Sequence, residues 1–488
     1  MPSVSLSDLL LTCGLTPPDM KTTLISGLAY DSRLVKKGDL FFAMKGHHVD
    51  GHLFIREVEK KGAAAALVER PVPAGIPCFP VPSVLAAMSK VSTAFFGNPC
   101  ERIPVIGITG TNGKTTITYL IEDLLQAAGK TCGVMGTVNY RIGSRSVPAP
   151  NTTPMSLDVQ AFLADLVEAN ASAAVMEVSS HALELNRVED VTYAVGVFTN
   201  LTQDHLDFHK DMETYFKAKM KLFQHGKSKK IVVNADDPYG VRLLDQFPEA
   251  LGFGFSERAS LRASRHSLNL KGIEFDLTFP SKKTHRIKTN LMGLHNISNG
   301  LAAAGAMLAF GLSEEQIVGG LNRNHAVPGR LERVEQGQHF VVVVDYAHTH
   351  DALEKVLTAL RVTGPKHIRC VFGAGGDRDR TKRPRMGRVA VLLADFVYVT
   401  SDNPRSEDPL LIMREIEEGI KQANRSNYCL EVDREKAIEK AISDAVDGDI
   451  VLLAGKGHET VQIFNDKRVH FSDQETAVKA IKRKLNRL

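Results

Sequence analysis

The segment IGITGTNGKTT at residues 106–116 contains the residue types that bind phosphate groups. It follows an apolar stretch, Val105–Thr109, and precedes a helical pattern, ITYLIEDLLQAAGK. Gly110 and Gly113 allow backbone amides to approach phosphate oxygens, and the start of the following helix favours anions. The order strand, glycine-rich loop, helix therefore predicts a phosphate-binding loop.

Two side chains of this loop add charge and a metal ligand. Lys114 supplies a positive charge for the outer phosphates, and Thr115 offers a hydroxyl group to Mg²⁺. The strict pattern GxxxxGK[ST] has glycine at position 108, where this chain has Ile108. A chance glycine-rich turn is the alternative, and the strand–loop–helix context favours the phosphate loop over it.

A second unusual residue is a lysine on the apolar face of a predicted helix, ETYFKAKMKLF. Lys217 and Lys221 have mostly polar neighbours at positions three and four residues away. Lys219 has only apolar or aromatic neighbours there, namely Tyr215, Phe216, Leu222 and Phe223. Because a buried ammonium group is costly, we expect Lys219 to be paired, neutral or chemically modified. Extension of its amine to the helix edge is the alternative.

Two histidines in the preceding turn, His205 and His209, are separated by four residues and allow a zinc-binding interpretation. No third soft ligand stands nearby in the sequence, and a phosphate loop requires Mg²⁺ instead. The simpler alternatives are a helix-capping role for Asp204 and a surface position for His209.

The elements that position these residues alternate between strands and helices along most of the chain, which predicts mostly parallel sheets. The 488 residues are enough for about three domains. Proline and glycine residues before the strands at 105 and 340 suggest the boundaries. We predict an α/β fold with domains at residues 1–100, 101–332 and 333–488.

Composition excludes several classes of protein. The net charge of +4 is too small to indicate a nucleic-acid partner or a membrane surface. No apolar run approaches the length of a membrane span, and no basic region precedes an apolar stretch at the N-terminus. The six cysteines are scattered, which indicates reduced thiols and a cytoplasmic protein.

The loop GITGTNGKTT resembles the nucleotide loop of the Mur ligases, which are ATP-dependent amide ligases of peptidoglycan precursor synthesis. Further segments of the family follow in the family's order and cover all three predicted domains. They are NTTP, MEVSSHAL, NLTQDHLDFH, YFKAKMKLF, MGLHNISN, PGRLE, DYAHTHD, GGDRDRTKRP, DNPR and AGKGHE.

The resemblance implies a small N-terminal α/β domain that binds UDP, a central ATPase domain of the phosphate-loop type, and a Rossmann-like C-terminal domain. Among family members, the segments are most similar to the ligase that adds meso-2,6-diaminopimelate to UDP-N-acetylmuramoyl-L-alanyl-D-glutamate. An acyl phosphate would be the intermediate, and ATP and Mg²⁺ would be required. The implied protein is a cytoplasmic monomer, without nucleic acid or membrane insertion, that serves cell wall biogenesis, cell shape and division.

The resemblance also implies roles for individual residues. Lys114, Lys219, Glu177 and His205 would be catalytic, with Lys219 carbamylated and Mg²⁺ held by Thr115, Glu177, His205 and carbamylated Lys219. ATP would contact Gly110, Thr111, Asn112, Gly113, Lys114, Thr115, Thr116, Asn296, Arg330, Asp345 and His348. The UDP-muramoyl-peptide would contact Ser32, His47, His48, Asn151, Thr152, Thr153, Ser179 and Arg187. Diaminopimelate would contact Arg378, Asp402, Asn403, Pro404, Arg405, Gly455 and Glu459.

Three alternatives remain at this point. A sibling ligase adds L-lysine instead, and another relative of the same fold extends folate with glutamate. The DNPR segment and the N-terminal uridine segments YDSR and GHHVDG favour the diaminopimelate ligase over both. A phosphate-loop switch or motor ATPase is a third possibility, but such a protein has no use for a buried Lys219. DNPR could also be a simple turn, since Asn-Pro is common in turns.

Overall fold

The structure is a computed structural model that describes residues 3–16, 23–46, 49–143 and 145–485. It contains two compact units. The first comprises Met1–Ser260 and Ala302–Ile317, and the second comprises Leu261–Leu301 and Val318–Leu488. Within the described ranges, no helix is both long enough and apolar enough to span a bilayer.

The first unit begins with a four-stranded parallel sheet of order β3-β4-β5-β6. The elements of this part are β1 (Val4–Ser5), α1 (Leu6–Thr12), β2 (Leu24–Ile25), β3 (Gly27–Ala29), β4 (Asp39–Phe42), α2 (Ile55–Lys60), β5 (Ala65–Val68), β6 (Cys78–Pro80), α3 (Val84–Phe95) and α4 (Pro99–Arg102). Leu40 and Phe42 pack into one apolar cluster, and Phe41 packs into another. Both faces of this sheet are therefore covered, as is usual for parallel strands.

A larger sheet follows in the same unit. Its elements are β7 (Val105–Thr109), α5 (Lys114–Ala127), β8 (Cys132–Met135), β9 (Asn139–Ile142), β10 (Arg145–Pro148), α6 (Ser156–Glu168), β11 (Ala173–Glu177), α7 (Ser180–Glu184), β12 (Tyr193–Phe198), α8 (Leu206–His209), α9 (Met212–Met220), β13 (Ser228–Asn234), α10 (Pro238–Gln246) and β14 (Leu251–Gly254). The strand order is β10-β9-β8-β11-β7-β12-β13-β14, and the strands from β8 to β14 in that order are parallel.

Strand β7 lies between β11 and β12, and all five of its residues are buried. Helix α6 packs Val159, Leu163 and Leu166 against the same apolar cluster that contains Ala174 and Met176 of β11. These three residues are spaced four and three apart, so they form one face of the helix. The phosphate loop, which follows β7, is thus attached to a fully buried central strand.

The second unit has an antiparallel and a parallel part. Its elements are β15 (Leu261–Asn269), β16 (Gly272–Thr278), β17 (Thr284–Thr289), α11 (His295–Phe310), α12 (Glu314–Leu321), β18 (Glu332–Arg333), β19 (Val341–Asp345), α13 (His350–Arg361), β20 (Ile368–Phe372), α14 (Lys382–Leu393), β21 (Phe396–Val399), α15 (Pro409–Gln422), β22 (Tyr428–Leu430), α16 (Arg434–Asp444), β23 (Ile450–Ala454), β24 (Val461–Phe464), β25 (Lys467–His470) and α17 (Asp473–Leu485). The division between the units falls within α11 and α12.

The parallel part of the second unit has the strand order β18-β19-β23-β20-β21-β22, and only the edge strand β18 is antiparallel. Strands β15, β16 and β17 form an antiparallel sheet that the sequence analysis did not predict. In β16, Ile273, Phe275 and Leu277 are buried and alternate with less buried residues, which is typical of a one-sided strand. The predicted α/β class with mostly parallel sheets is confirmed.

A buried ion pair joins two helices in the second unit. Arg434 of α16 and Asp473 of α17 have no exposed side-chain surface, and Arg434 Nη2 lies 2.6 Å from Asp473 Oδ2. Arg434 Nε also donates to Asp473 Oδ1 at 2.7 Å. Its remaining donors bind the carbonyl oxygens of Ser401 at 3.4 Å and Ala454 at 2.9 Å. Arg434 therefore connects both helices to the ends of strands β21 and β23.

We expect Asp473→Ala to destabilise the protein by about 3–5 kcal/mol, because it leaves the Arg434 guanidinium buried without its counter-charge. Denaturant unfolding followed by circular dichroism measures this loss. Arg483→Ala is the matched control, because it removes a salt bridge between two partly exposed side chains, Arg483 and Glu439. The control should change stability by about 1 kcal/mol or less. Equal losses in the two variants would contradict the prediction.

Candidate active site

The loop between β7 and α5 has the backbone geometry of an anion-binding turn. Gly110 has φ of +146° and Gly113 has φ of +89°, which side-chain-bearing residues rarely adopt. A Cβ atom at Gly110 would lie 1.9 Å from Oγ1 of Thr199, so only glycine fits there. Helix α5 begins at Lys114, and the amides of its first turn have no carbonyl partners within the helix. The loop therefore directs N–H groups toward a bound anion.

Residues at the end of β12 hold this loop in place. The backbone N–H of Thr111 donates to the carbonyl oxygen of Asn200 at 2.9 Å. The backbone N–H of Asn112 donates to Oδ1 of Asn200, also at 2.9 Å. Thr199 Oγ1 donates to the carbonyl oxygen of Asn112 at 2.7 Å. The sequence analysis did not assign roles to Thr199 or Asn200, although their position just after an apolar strand was an available signal.

Lys114 curves back over the loop. Its Nζ donates to the carbonyl oxygen of Gly110 at 2.9 Å and to that of Thr111 at 2.8 Å. Thr115 and Thr116 lie buried in the first turn of α5. The structure thus places the predicted residues 110–116 in the loop and in the first turn of α5.

Lys219 reaches the same loop from helix α9. Its side chain is 1% exposed, whereas Lys217 on the same helix is exposed. Its Nζ donates to the carbonyl oxygen of Gly110 at 2.9 Å and lies 4.5 Å from the ring centre of Tyr215. Burial, together with the charge of Lys114, holds the pKa of Lys219 well below the usual range of a lysine. Lys219 is therefore buried as predicted, with an amine that favours the neutral form.

Glu177 lies at the carboxyl end of β11 and is 1% exposed. It stands opposite Ile108 in the register of β11 and β7. Its Oε1 accepts the backbone N–H of Thr137 at 2.8 Å, and its Oε2 accepts the Thr137 hydroxyl at 3.0 Å. The carboxylate is thus held at the same edge of the sheet as the phosphate loop.

His205 and His209 occupy different environments. His205 has a left-handed backbone, its side chain is 47% exposed, and its ring lies 6.2 Å from that of Tyr215. His209 is buried, its ring stacks on Tyr215 at 4.9 Å, and its Nε2 lies 2.8 Å from Oγ of Ser180. The alternative of a surface position for His209 is therefore wrong. Asp204 accepts the adjacent N–H of His205, and the cap of α9 is instead Asp211.

The donors near the loop fit Mg²⁺ better than zinc. Among the residues that the structure describes, no group of three or more His, Cys, Asp or Glu side chains is arranged to hold a metal ion. Thr115 offers a hydroxyl group and Glu177 a carboxylate, which are hard oxygen ligands of the kind that Mg²⁺ prefers. A carbamate on Lys219 would add further oxygens of the same kind.

Thr153 is the centre of a hydrogen-bonded group beside Glu177. Its Oγ1 donates to the carbonyl oxygen of Glu177 at 2.9 Å and accepts the backbone N–H of Ser179 at 3.0 Å. Its own carbonyl oxygen accepts from Nη1 of Arg187 at 3.0 Å. Nε of Arg187 is buried, and no described residue accepts a hydrogen bond from it. Burial lowers the pKa of this guanidinium. Three predicted peptide-binding residues, Thr153, Ser179 and Arg187, thus lie together.

Two more predicted residues lie next to this group. Oγ1 of Thr152 is 3.1 Å from Oγ1 of Thr137, the residue that also binds the carboxylate of Glu177. The carbonyl oxygen of Asn151 accepts from the hydroxyl group of Tyr140. The NTTP segment therefore lies along the edge of the sheet where strand β11 ends with Glu177.

Ser32 begins a short 3₁₀ turn in the N-terminal part of the first unit and is buried. Among the described residues, no hydrogen bond joins Ser32 to the NTTP segment. Its neighbour Tyr30 donates a 2.7 Å hydrogen bond to Asp158 of α6, the helix that follows NTTP. His47 and His48 lie outside the described residues.

The second unit carries the remaining predicted nucleotide residues. Asp345, at the end of β19, is buried and accepts the backbone N–H groups of Leu331 and Ala347, each at 2.8 Å. Burial raises the pKa of this carboxyl group, against the opposing effect of Arg330. Asp345 therefore connects the residue before β18 to the turn that follows β19.

Tyr346 lies between two of these predicted residues. The guanidinium of Arg330 is 5.2 Å from the centre of its ring. Nδ1 of His348 lies 2.8 Å from the Tyr346 carbonyl oxygen. Asn296 is buried on α11, where its Oδ1 accepts from Asn299. Arg330, Asp345 and His348 thus form one cluster, whereas the bonds of Asn296 are to its own helix and to the turn before it.

The predicted amino-acid residues converge after strands β21 and β23. A Cβ atom at Gly455 would lie 2.7 Å from Oδ2 of Asp402, so these two residues are adjacent. Nδ2 of Asn403 donates to Oε2 of Glu459 at 2.8 Å. The DNPR and AGKGHE segments therefore face each other at the carboxyl ends of parallel strands, where open α/β sheets bind ligands.

Two arginines border this group. Arg405 follows the buried Pro404, has a left-handed backbone with φ of 53°, and donates from Nη1 to the carbonyl oxygen of Gly376 at 2.7 Å. Arg378 donates from Nη1 to the carbonyl oxygen of Asp377 at 3.0 Å. Both arginines thus lie along the glycine-rich turn that follows β20.

The sequence matches three family models in succession. These are "Mur ligase family, catalytic domain" at residues 24–95, "Mur ligase middle domain" at residues 108–307, and "Mur ligase, glutamate ligase domain" at residues 329–457.

Proteins named UDP-N-acetylmuramoyl-L-alanyl-D-glutamate–2,6-diaminopimelate ligase are similar along the full length. The one from Solibacter usitatus is 45% identical over 95% of both chains. The one from Gloeobacter violaceus is 44% identical over 100% of both. The chain belongs to the Mur ligase family. Its fold agrees, because a solved structure of a ligase with the same name has a TM-score of 0.74 at 31% identity and covers 99% of this chain and 100% of that chain.

Mur ligases that are less similar in sequence to this chain share its fold alone. A MurF ligase from Thermotoga maritima, solved in complex with ADP, has a TM-score of 0.64 at 20% identity. It covers 94% of this chain and 98% of its own.

The structure also shows site residues that sequence reasoning missed. Arg383 is fully buried and binds Glu407 and Glu415 of the segment that follows DNPR, with its Nη2 at 2.7 Å from Glu407 Oε1. It also donates to the carbonyl oxygen of Gly375 at 3.2 Å. The two glutamates lie 24 and 32 residues later in the chain than Arg383.

We expect Lys114→Ala to abolish ligase turnover and to weaken nucleotide binding, because the variant removes the positive charge at the loop. The melting temperature should hardly change, since the substitution opens no apolar core. Steady-state kinetics and calorimetric titration with ADP provide the measurements. Lys130→Ala, at an exposed position beyond the other end of α5, is the control. Near-normal turnover in a stable Lys114→Ala protein would refute the phosphate-loop assignment.

Proposed function

We propose that this Mur ligase joins meso-2,6-diaminopimelate to UDP-N-acetylmuramoyl-L-alanyl-D-glutamate at the expense of ATP. The observation that carries the proposal is the likeness to ligases of that name, at 45% identity over 95% of both chains. The proposal is also supported by the positions of the predicted residues, which gather at the carboxyl ends of the parallel strands in each unit. The product serves peptidoglycan synthesis, and we further propose a cytoplasmic, monomeric enzyme with domains at residues 1–100, 101–332 and 333–488.

The first step activates the substrate. An oxygen of the D-glutamate carboxylate attacks the γ-phosphorus of ATP, the bond to the β-phosphate oxygen breaks, and ADP leaves. The product is an acyl phosphate. Lys114 and the amides of the loop stabilise the charge on the phosphate oxygens. Arg330, Asp345, His348 and Asn296 contribute further contacts to the nucleotide.

The second step forms the amide. The unprotonated amine of diaminopimelate attacks the carbonyl carbon of the acyl phosphate, which gives a tetrahedral intermediate. The C–O bond to the phosphate then breaks, phosphate leaves with the electron pair, and the nitrogen loses a proton. Positioning of the two substrates is the main contribution of the protein to this step.

The peptide substrate is held next to the edge of the first sheet. The guanidinium of Arg187 has a buried Nε without a partner, so it can offer donors to a substrate carboxylate. Asn151, Thr152, Thr153 and Ser179 supply further polar groups beside it. Ser32, with His47 and His48, is assigned to the uridine end.

Mg²⁺ would be held by Thr115, Glu177, His205 and Lys219 in its carbamate form. When bound, the ion neutralises charge on the phosphate oxygens. The Lys219 amine forms a carbamate when its nitrogen adds to the carbon of CO₂ and releases a proton. Burial lowers the pKa of this amine, which favours the unprotonated form that the addition requires.

We expect Lys219→Ala to abolish activity, and Lys217→Ala and Lys221→Ala to have little effect. Lys219 is buried against the phosphate loop, Lys217 is exposed, and Lys221 forms a surface ion pair with Glu184. Steady-state kinetics compares the variants. In parallel, ¹³C NMR of the enzyme with labelled bicarbonate should show a carbamate signal that only Lys219→Ala lacks. Equal, mild effects in all three variants would refute the carbamate.

We expect the enzyme to use meso-2,6-diaminopimelate and almost to ignore L-lysine. The two amino acids differ by one carboxylate, which Arg405 would bind through two parallel hydrogen bonds. A site built around a polar substrate group rejects an analogue that lacks the group by roughly 10⁴-fold. The measurement is kcat/KM for each amino acid.

Arg405→Ala should reduce the difference in kcat/KM between diaminopimelate and L-lysine, chiefly by loss of diaminopimelate activity. Arg425→Ala, at an exposed position after α15, is the control and should leave the ratio unchanged. Comparable kcat/KM values for the two amino acids in the unmodified protein would overturn the diaminopimelate assignment and favour the lysine-adding sibling. The broader assignment as an amide ligase would remain.

A further inference from the structure

Lys456 in the AGKGHE segment is a buried lysine without an assigned role. Its side chain has no exposed surface. Its Nζ donates to Oδ1 of Asn403 at 3.1 Å, to Oε2 of Glu459 at 3.1 Å and to the carbonyl oxygen of Val461 at 2.7 Å. An ammonium group has three donors, so these bonds account for all of them. Lys456 therefore cannot bind a substrate directly without losing one of these contacts.

The first consequence concerns the orientation of Asn403. Its Oδ1 accepts from Nζ of Lys456 and also from the backbone N–H of Ile463 at 3.1 Å. Both partners are donors, so the oxygen of the amide has to face them. The NH₂ group then points the other way, to Oε2 of Glu459 at 2.8 Å. A flipped amide would place its NH₂ against two donors and its oxygen against a carboxylate.

The second consequence concerns Glu459. Both donors, Nδ2 of Asn403 and Nζ of Lys456, bind the same oxygen, Oε2. No hydrogen bond to Oε1 is formed by the described residues. The side chain of Glu459 is 30% exposed, whereas Lys456 behind it is fully buried. The two hydrogen bonds to Oε2 thus hold the carboxylate of Glu459 in one orientation. Its other oxygen, Oε1, remains available to the ammonium group of a bound amino acid.

We propose that Lys456 is a positioning residue for the amino-acid substrate. It acts through Asn403 and Glu459, whose orientations it fixes, and it makes no contact with the substrate itself. This inference rests on the proposed function, because it assigns Asn403 and Glu459 to the amino-acid pocket. Recognition of the amino acid's ammonium group by Glu459 then depends on a lysine that lies behind the pocket.

The test is the substitution Lys456→Met, which keeps the length of the apolar stem and removes all three donors. The KM for meso-2,6-diaminopimelate should rise about 10- to 100-fold, the range expected for loss of hydrogen bonds to a charged group. The KM values for ATP and for the UDP-muramoyl-dipeptide should change by no more than about 2-fold. Loss of one hydrogen bond to a charged group would change a KM by more than that. A purely structural role would instead lower the active fraction and leave all three KM values unchanged.

Lys467→Met is the matched control, because Lys467 is an exposed lysine on the nearby β24–β25 hairpin. It should change none of the three constants. Circular dichroism melting verifies that each variant is folded. If Lys456→Met does not fold, Lys456→Gln replaces it, since its amide retains a donor and its stem is only one atom shorter. The same selective rise in the diaminopimelate KM is then expected, at the lower end of the range.

A double-mutant cycle with Asn403→Ala tests the route of the effect. If Lys456 acts through Asn403, then Lys456→Met should raise the diaminopimelate KM much less in the Asn403→Ala background. Full additivity of the two effects would overturn the inference. So would an unchanged diaminopimelate KM in a folded Lys456 variant, or an equal rise in all three KM values. If the unmodified protein does not use diaminopimelate at all, the proposed function itself fails, and that result is separate from the others.

Discussion

A positively charged side chain can be buried only if oxygen atoms replace its water or if it gives up its proton, and this constraint shapes the candidate site in both units. Lys219 in the first unit and Arg383, Arg434 and Lys456 in the second are all essentially inaccessible to solvent. Each donates to at least one backbone carbonyl oxygen. Since backbone carbonyls cannot move independently of the chain, each of these buried side chains fixes a loop. The loops fixed in this way are the phosphate loop, the turn after β20, and the segments after β21 and β23.

Parallel strand order explains why these loops gather. In the first unit, β11, β7 and β12 are adjacent and parallel, so Glu177, the phosphate loop and Asn200 emerge from the same edge of the sheet. In the second unit, β19, β23, β20 and β21 are parallel neighbours, and the predicted residues Asp345, Gly455, Arg378 and Asp402 follow or end these strands. Each strand contributes one short segment to the edge. Residues far apart in sequence therefore need no long connection to meet.

Local pattern was enough to predict some of these features and not others. The five-residue strand β7 and the burial of Lys219 follow from residues within one turn or one strand, and the structure has both as predicted. The partner of Lys219, the carbonyl oxygen of Gly110, lies 109 residues away. The partners of Arg383 lie 24 and 32 residues away. Such pairs depend on strand order, which periodicity along one element does not specify. The antiparallel strands β15, β16 and β17 were missed, although the alternation of Ile273, Phe275 and Leu277 with polar residues was an available signal of a one-sided strand.

The two lysines at the phosphate loop show how one backbone atom can couple a structural role to a chemical one. Nζ of Lys114 and Nζ of Lys219 each donate to the carbonyl oxygen of Gly110 at 2.9 Å. The two nitrogens are therefore no farther apart than two hydrogen-bond lengths, and two ammonium ions at that separation repel each other. Lys219 is the more deeply buried of the two, so it is the amine that favours the neutral form. A neutral amine still donates to the Gly110 carbonyl oxygen, so this hydrogen bond holds the loop in either protonation state of Lys219.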